Sequence, residues 1–356
     1  MAKIMIRGGD LDLVEYEFSP FNVGENIKTL GFESDFELKI LEKPVEVRVP
    51  ARIHLTVLDM NRFAPDRPGG GGIGFAIKIY TTAVVKCTDS ETEIDYSREP
   101  IIKHFMEVFK KVTGYSGGFK ISLTDHEMKH VGLGSTGSVV LAVAHAMNRA
   151  TGNPLTAEEI RLLIGHNYVE ETVNGQIIPG FETGVGPAAA THGGMAVLGD
   201  ELALICHHPF AADKNVYIII PPTEANAAGD DEFRLLMNRA RNLDYSDREL
   251  KAYMVLMDLI PALQRDDLGK LGGIIEEMDF RGSKRAEVEH NSFEIYAHMS
   301  SLRKNGLEFV GMSSVGPSIA IITDKNRSEM EKIIQSTGLK IAIETKIDNT
   351  GIRISS

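Results

Sequence analysis

The stretch HVGLGSTGSVVLAVAHAMN, residues 130–148, is a glycine-rich turn that opens directly into a helical pattern. Gly132, Gly134 and Gly137 permit a tight backbone path that presents N–H groups, and the following helix adds the positive end of its dipole. Such a loop is built to hold an anion, phosphate foremost. Its expected ligands are the amides from Gly132 through Leu133 to Gly137 and the hydroxyls of Ser135, Thr136 and Ser138. Within the helix, Val140, Val143, Ala144 and Met147 recur at the spacing of a core-facing stripe, and Gly152 marks its end.

Working outward, residues 46–58 and 73–87 have the β-branched content and partial alternation of strands, separated by the turn-rich NRFAPDRPGGGG at 61–72. Pro100 opens a helix whose Ile102, Phe105, Val108, Phe109 and Val112 share a face before Gly114 stops it, and GFKISLT at 118–124 reads as a strand. Thr156 and Glu159 form a capping box for a helix expected to reach about Glu171. A second glycine-rich passage at 174–194 leads to a hairpin-like pair of strands turning at Gly199-Asp200. The strand VYIIIPP at 216–222 begins a second half, with helices expected at about 230–243, 247–263, 267–279, 292–304 and 327–337 and a terminal strand. Ser246 and Glu249 are the expected cap of the second of these helices.

The 356 residues exceed one ordinary core and predict two domains. Hydrophobic residues at 43% and charged residues at 25% read as a globular protein, while a formal net charge of −12 argues against nucleic acid or an anionic membrane as partner. A small phosphorylated metabolite is the expected ligand. Cys87 and Cys206 sit in apolar stretches without companions at metal-ligand spacing, which reads as buried small hydrophobes in a reducing compartment. No window offers the roughly 18 uninterrupted apolar residues of a spanning helix, so a cytoplasmic location is expected.

Several motifs compete with the anion-loop reading. Gly-Leu-Gly-Ser-Thr-Gly satisfies the dinucleotide pattern G-x-G-x-x-G, but DHEMKHV separates it from the preceding strand, and Glu158 and Glu159 lie in a helix start rather than at the end of a strand. The Walker pattern fails because no Lys-Ser or Lys-Thr follows the glycines. His126, Glu127 and His130 spell H-E-x-x-H, whose zinc chemistry needs both imidazoles on one face of a continuous helix, improbable between a strand and a glycine turn. Arg62, Arg67 and the run Gly69 to Gly72 suit either a ligand loop or a flexible hairpin. Arg52 and His54 share a strand face by the two-residue period, whereas Asp59 needs a bend to join them. GMSSVGPS at 311–318 adds Ser313, Ser314 and the Gly316 turn, a third small-residue loop that could converge on the other two.

In this order the motifs resemble the GHMP kinase superfamily of small-molecule kinases. Val131 to Thr136 resembles its Pro-x-x-x-Gly-Leu-Gly-Ser-Ser loop, and GMSSVGP its late glycine-rich loop. In detail the chain is more similar to the archaeal beta-ribofuranosylaminobenzene 5'-phosphate synthases, through ARIHLTVLDMN (51–61), GGIGFAI (71–77), HVGLGS (130–135), GVGPAAATHGG (184–194), PALQRDDLGKLGGII (261–275) and MSSVGPSIA (312–320). The resemblance implies an α+β fold with mixed sheets and the phosphate loop in a cleft between two domains, 48–212 and 213–356, after an extension over 1–47. A homodimer is implied as well.

The activity implied is a phosphoribosyltransferase joining 4-aminobenzoate to phosphoribosyl pyrophosphate with loss of carbon dioxide and pyrophosphate, in methanopterin biosynthesis. Kinases of the superfamily place an Asp where this chain has Gly186, and a glycine cannot serve an alcohol nucleophile. The synthases resemble this chain in lacking that Asp. Two departures stand out. The synthases' Arg-Val-Asp-Gly-Gly has become Arg-Pro-Gly-Gly-Gly-Gly at 67–72, and their Gly-Arg-Gly-Gly-Thr-Ser run is Ile178 to Thr183. The expected site therefore comprises Arg52, His54 and Glu182 as catalytic groups. Asp59, Gly71, Gly72, Gly74, Thr183, Gly184, Ser313, Ser314 and Gly316 are expected to line the substrate. Glu170, resembling the superfamily's acidic ligand, is expected to hold magnesium with Thr136. The donor that the resemblance implies is phosphoribosyl pyrophosphate, or ATP if the chain is a kinase with Glu182 replacing the absent Asp. A non-catalytic ligand-binding homologue is the third reading.

Overall fold

A computed structural model describes residues 3–6, 14–17, 19–64, 67–128, 131–172, 174–222, 235–335 and 337–355. A short antiparallel pair, β1 (Lys3–Ile6) and β2 (Val14–Glu17), comes first. The main sheet is organised by two long antiparallel strands, β3 (Val45–Val57) and β4 (Gly72–Thr88). Along β3, burial alternates over Val45, Glu46, Val47 and Arg48 and then becomes nearly continuous to Val57. The EVRV half thus has one wet face, as its alternation dictates, while the ARIHLTV half is covered on both sides.

Beyond β4, β5 (Glu93–Asp95) runs parallel to β6 (Gly118–Thr124), which pairs with the far half of β4. β7 (Val169–Glu171) and β8 (Ile177–Pro179) pair with each other. β9 (Met195–Leu198) and β10 (Leu204–His208) extend the main sheet along the first residues of β4. A second, antiparallel sheet has the order β12-β13-β11-β14, from β11 (Asn215–Ile219), β12 (Phe309–Met312), β13 (Ile319–Thr323) and β14 (Ile341–Thr345). The last strand, β15 (Arg353–Ser355), returns to pair with β3 of the main sheet.

Helices α1 (Glu99–Thr113), α2 (Ser135–Ala150) and α3 (Ala157–His166) accompany the main sheet, with α2 laid on β3 and β4. α2 is buried nearly all round, Ala142, His145 and Ala146 as well as the expected stripe, because α1, α3 and a short α4 (Val185–His192) enclose its other faces. α5 (Arg241–Met254), α6 (Ile260–Gln264), α7 (Leu268–Asp279), α8 (Gly282–Asn291), α9 (Phe293–Lys304) and α10 (Arg327–Gln335) accompany the second sheet. One hydrophobic cluster joins the two halves: Ile53 and Phe75 of the main sheet pack with Leu133 of the glycine loop, Ile218 and Ile322 of the second sheet and Leu271 of α7. The fold is α+β with mixed sheets, as expected. Residues 19–44 have no regular strand or helix, yet Phe21, Ile27, Phe32, Phe36 and Leu41 pack onto the core beneath α1 and α2.

Caps explain where several helices begin and end. The Thr156 hydroxyl accepts from Glu159 N at 3.2 Å while the Glu159 carboxylate accepts from Thr156 N at 2.7 Å, and Gly114 ends α1 at φ +71. Four expectations are corrected. α3 stops at His166, because Asn167 turns its amide back onto Leu163 O at 2.9 Å, and the next residues form β7, so Glu170 lies on a strand. Residues 235–264 form one continuous helical run with widened turns at Leu235–Ala240 and Val255–Leu259, so Ser246 lies inside α5 with its hydroxyl on Asn242 O, and the expected break is absent. The Gly199-Asp200 corner is a longer turn in which Glu201 and Leu202 are left-handed. Helix α8 was not expected. Residues 230–234 of the expected 230–243 helix, Pro65 and Asp66 of the 61–72 loop, and His130 lie outside the described residues.

Both cysteines are free and half-buried. No helix among the described residues is long and apolar enough to cross a membrane.

Two core histidines set a pH dependence. His104 on α1 and His145 on α2 are 2% and 8% exposed, and burial pushes both down to about 4 from 6.5. The folded protein binds fewer protons than the unfolded chain between those values. Stability is therefore full above about pH 6.5 and falls as the pH drops toward 4, by roughly 3 kcal/mol for each histidine. Urea unfolding measured across this range should show the decline, and His104→Phe should flatten it. An unchanged slope in the variant would contradict the assignment.

Candidate active site

The glycine loop is held in place by its neighbours rather than by itself. Gly132 and Gly134 have φ of +92 and +70, a region that strains any L side chain. Gly132 O accepts from Arg52 Nη1 at 2.9 Å and from Ser313 Oγ at 2.6 Å, while Leu133 is buried in the shared core. The Leu133 side chain thus anchors the loop, leaving only its amide for a ligand. Gly134 is the N-cap of α2 without any side-chain cap bond, so the first-turn amides of Ser135, Thr136 and Gly137 face outward from the helix start.

Arg52 and His54 come from β3, and the 313–316 loop comes from the second sheet; the two meet at the glycine loop. Ser313 Oγ accepts from His54 N at 3.0 Å, and Ser314 N donates to His54 O at 2.6 Å. Ser314 and Gly316 are left-handed, and a Cβ on Gly316 would meet Asn291 Nδ2 at 2.7 Å. Two of the three small-residue loops therefore converge through Ser313 and Gly132. The His54 ring is buried, its Nε2 has no hydrogen-bond partner, and burial together with Arg52 and Lys284 holds it well below its ordinary value, hence neutral.

The first turn of α2 carries a cluster that sequence reasoning partly missed. Arg98, the residue before α1, is 7% exposed and donates through Nη2 to Thr136 Oγ1 at 2.8 Å and to Glu170 Oε2 at 3.1 Å. Thr136 Oγ1 also donates to Glu170 Oε2 at 3.1 Å, and Tyr168 OH donates to Glu170 Oε1 at 3.1 Å. Burial and the carboxylates of Glu170 and Glu182 raise Tyr168 well above its usual value, which keeps it a donor. Glu170 and Thr136 are thus brought together as expected. The one available flag for Arg98 is its position, since a cation at a helix start opposes the dipole and calls for an anion nearby.

These residues do not fit a magnesium ion as arranged. Both Glu170 oxygens already accept hydrogen bonds, and the Arg98 guanidinium shares Thr136 Oγ1 and Glu170 Oε2, the two atoms a cation would need. Among the described residues, no group of three or more His, Cys, Asp and Glu side chains could hold a metal. At 125–128 the backbone is irregular, with Glu127 left-handed, so His126 and Glu127 are not on a helix.

Glu182 lies just before α4, 8% exposed, its Oε1 accepting from Gly184 N at 2.7 Å. Burial pushes its carboxyl up, against the pull of the Gly184 amide and Arg52. Its other oxygen would stand 3.8 Å from a Cβ on Gly137, which places it beside the first turn of α2. A Cβ on Gly186 would lie 3.6 Å from Arg52 Nε, so a guanidinium faces the space that a side chain at this position would enter. Thr183 precedes Gly184, the left-handed N-cap of α4.

The remaining expected residues have packing reasons. A Cβ on Gly72 or Gly74 would meet Val185 at 2.8 or 2.6 Å, and one on Gly71 would meet Leu198 O at 2.2 Å. All three are buried and let α4 and β9 approach β4 closely. Asp59 accepts from Asn61 N at 2.9 Å, capping its own turn. Arg67 pairs with Asp200 and Glu201 on the surface.

The GHMP kinases N terminal domain matches residues 100–179, the span containing α1, the glycine loop, α2 and Glu170. The chain is similar to the beta-ribofuranosylphenol 5'-phosphate synthase of Archaeoglobus fulgidus, 28% identical over 87% of this chain and 99% of that protein. The Methanothermobacter thermautotrophicus protein of the same name is 25% identical over 78% of this chain and 88% of its own length. Among solved structures, a homoserine kinase from Cytophaga hutchinsonii superimposes with a TM-score of 0.63, covering 90% of this chain and all of that one at 15% identity. Residues 100–179 thus match the GHMP kinases N terminal domain, the chain shares its fold with the homoserine kinase, and it resembles the beta-ribofuranosylphenol 5'-phosphate synthases over most of its length.

Proposed function

We propose that the protein is a transferase that moves the 5-phosphoribosyl group of phosphoribosyl pyrophosphate onto an aromatic acid, in the biosynthesis of a methanopterin-type cofactor. The observation that carries this reading is the placement of Arg52. A guanidinium bonded to the glycine loop faces the Gly186 position, where a phosphoryl-transfer kinase would need a carboxylate for its alcohol. A cation there serves a departing diphosphate instead. The amides of Leu133 to Gly137 and the hydroxyls of Ser135, Thr136 and Ser138 receive the diphosphate. Glu182, the buried carboxylate beside the first turn of α2, faces the ribosyl ring as positive charge develops on it.

The reaction is a substitution at the anomeric carbon. An aromatic carbon of the acceptor supplies the electron pair of the new bond, the bond from the anomeric carbon to diphosphate oxygen breaks, and the carboxylate leaves as carbon dioxide, returning its electrons to the ring. Neutral His54 adds no positive charge beside this cation. The name of the relatives describes a ribosylated phenol, so 4-hydroxybenzoate is tested beside the 4-aminobenzoate that the sequence resemblance implies.

Thermal unfolding with each donor, followed by product analysis with each acid, tests the proposal. At 100 times its dissociation constant, phosphoribosyl pyrophosphate should stabilise the fold by about 2.7 kcal/mol, and incubation with one of the acids should release carbon dioxide and pyrophosphate. Stabilisation by ATP alone, with phosphorylation of an alcohol dependent on Glu182, would establish the kinase reading. Binding of the donor without turnover by either acid would leave a ligand-binding homologue.

A further inference from the structure

We infer that Arg98 supplies the positive charge that the fold otherwise draws from a divalent cation, so that this chain receives its diphosphate on two arginines, Arg52 and Arg98, and holds no metal of its own. The inference rests on the transferase reading and deepens it. Arg98 is nine-tenths buried at the mouth of the loop, with one nitrogen bonded to both Thr136 Oγ1 and Glu170 Oε2. Those are the two groups that the superfamily resemblance assigns to magnesium, and the guanidinium is bonded to both while they bond to each other.

Position and charge argue that Arg98 is there for an anion. A buried guanidinium beside the first turn of α2 lies at the positive end of that helix, where a cation is destabilised unless negative charge balances it. Glu170 and, at 4.0 Å, Glu171 supply that balance in the free protein, and Tyr168 OH fixes the Glu170 carboxylate from its other oxygen, so what remains for a ligand is the rest of the guanidinium fork. A guanidinium has five donors in a planar fork, more than Thr136 and Glu170 engage through Nη2, and it suits phosphate oxygens in pairs. Arg52 bonds to the loop at Gly132 O and Arg98 at Thr136 Oγ1, so two cations contact the same short stretch of chain. Arg98 acts as the cation that neutralises the diphosphate, while Glu170 and Tyr168 are positioning residues that hold its plane.

The test uses inorganic pyrophosphate as probe, titrated calorimetrically into the intact protein in EDTA and again with magnesium, alongside manganese binding followed by electron paramagnetic resonance. The wild-type protein should bind pyrophosphate in EDTA. Arg98→Gln should weaken this binding roughly 10–100-fold, and Arg98→Lys, which keeps the charge but not the fork, should weaken it less. Without pyrophosphate, the wild-type protein should leave manganese free. Arg98→Gln should bind it through the vacated Glu170 and Thr136, and the added change Glu170→Gln should abolish that gain. Should Arg98→Gln fail to fold, the wild-type manganese titration and Arg98→Lys still decide the matter. Pyrophosphate binding only with magnesium, or Glu170-dependent manganese binding by the wild-type protein, overturns the inference and leaves the transferase reading standing. No pyrophosphate binding in either condition overturns both.

Discussion

Gly134→Val should abolish donor binding, weakening the affinity for phosphoribosyl pyrophosphate by at least about 100-fold, which corresponds to roughly 2.7 kcal/mol. Gly134 is left-handed at φ +70, and a β-branched residue forced into that conformation costs about 1–2 kcal/mol. The new Cβ would also stand 2.8 Å from Arg52 Nε and 3.0 Å from its Cζ. Arg52 has a flexible end and can swing aside, so the fold survives, but in moving it leaves Gly132 O and the flank of the loop. The loss therefore combines a distorted amide array with a displaced cation. Calorimetry checks this, with circular dichroism to verify the fold. A folded variant with unchanged affinity would remove the loop from the donor site.

Lys284→Met should be the most destabilising single change near the site, by about 3–5 kcal/mol. Lys284 on α8 is fully buried, donates to Ser314 O at 2.7 Å and pairs with Glu287 at 2.5 Å, itself 2% exposed. Removing the ammonium strands the Glu287 carboxylate, whose burial already pushes it up. It also frees Ser314, whose amide bonds to His54 O, so the 313–316 loop loosens from β3. Removing both charges together, Lys284→Met with Glu287→Leu, should recover most of the stability but not the Ser314 contact. Urea unfolding of the single and double variants measures this. A double variant as unstable as the single one would show that the buried charge is not the cause.

The parts of this molecule legible in the sequence are those decided by neighbours along the chain. The glycine turn before α2, the Thr156–Glu159 cap, the Gly114 stop and the β3 and β4 strands all follow from local backbone chemistry, and each is found within a residue or two of where it is expected. The pairing of Thr136 with Glu170 was suggested by resemblance alone, since the two are 34 residues apart. What escaped detection depends on partners distant in sequence. Residues 168–171 carry no strong strand pattern, and β7 exists because Ile177–Pro179 lies beside it. Lys251 pairs with Asp244 and Lys284 with Glu287 in a buried layer that ties α5 and α8 to Met60 and Ser314, and nothing adjacent in sequence announces it. The glycines at 71, 72 and 74 were read as ligand-facing because glycine permits close approach, and here what approaches is Val185 and the β9 backbone.

A crystal structure of the protein with phosphoribosyl pyrophosphate is the most direct test of the central claim that the loop at 132–137 receives the diphosphate. The account predicts diphosphate oxygens within hydrogen-bond distance of the amides from Leu133 to Gly137, with Arg52 and Arg98 in contact with them. Donor bound elsewhere, with these amides facing only water, would contradict it.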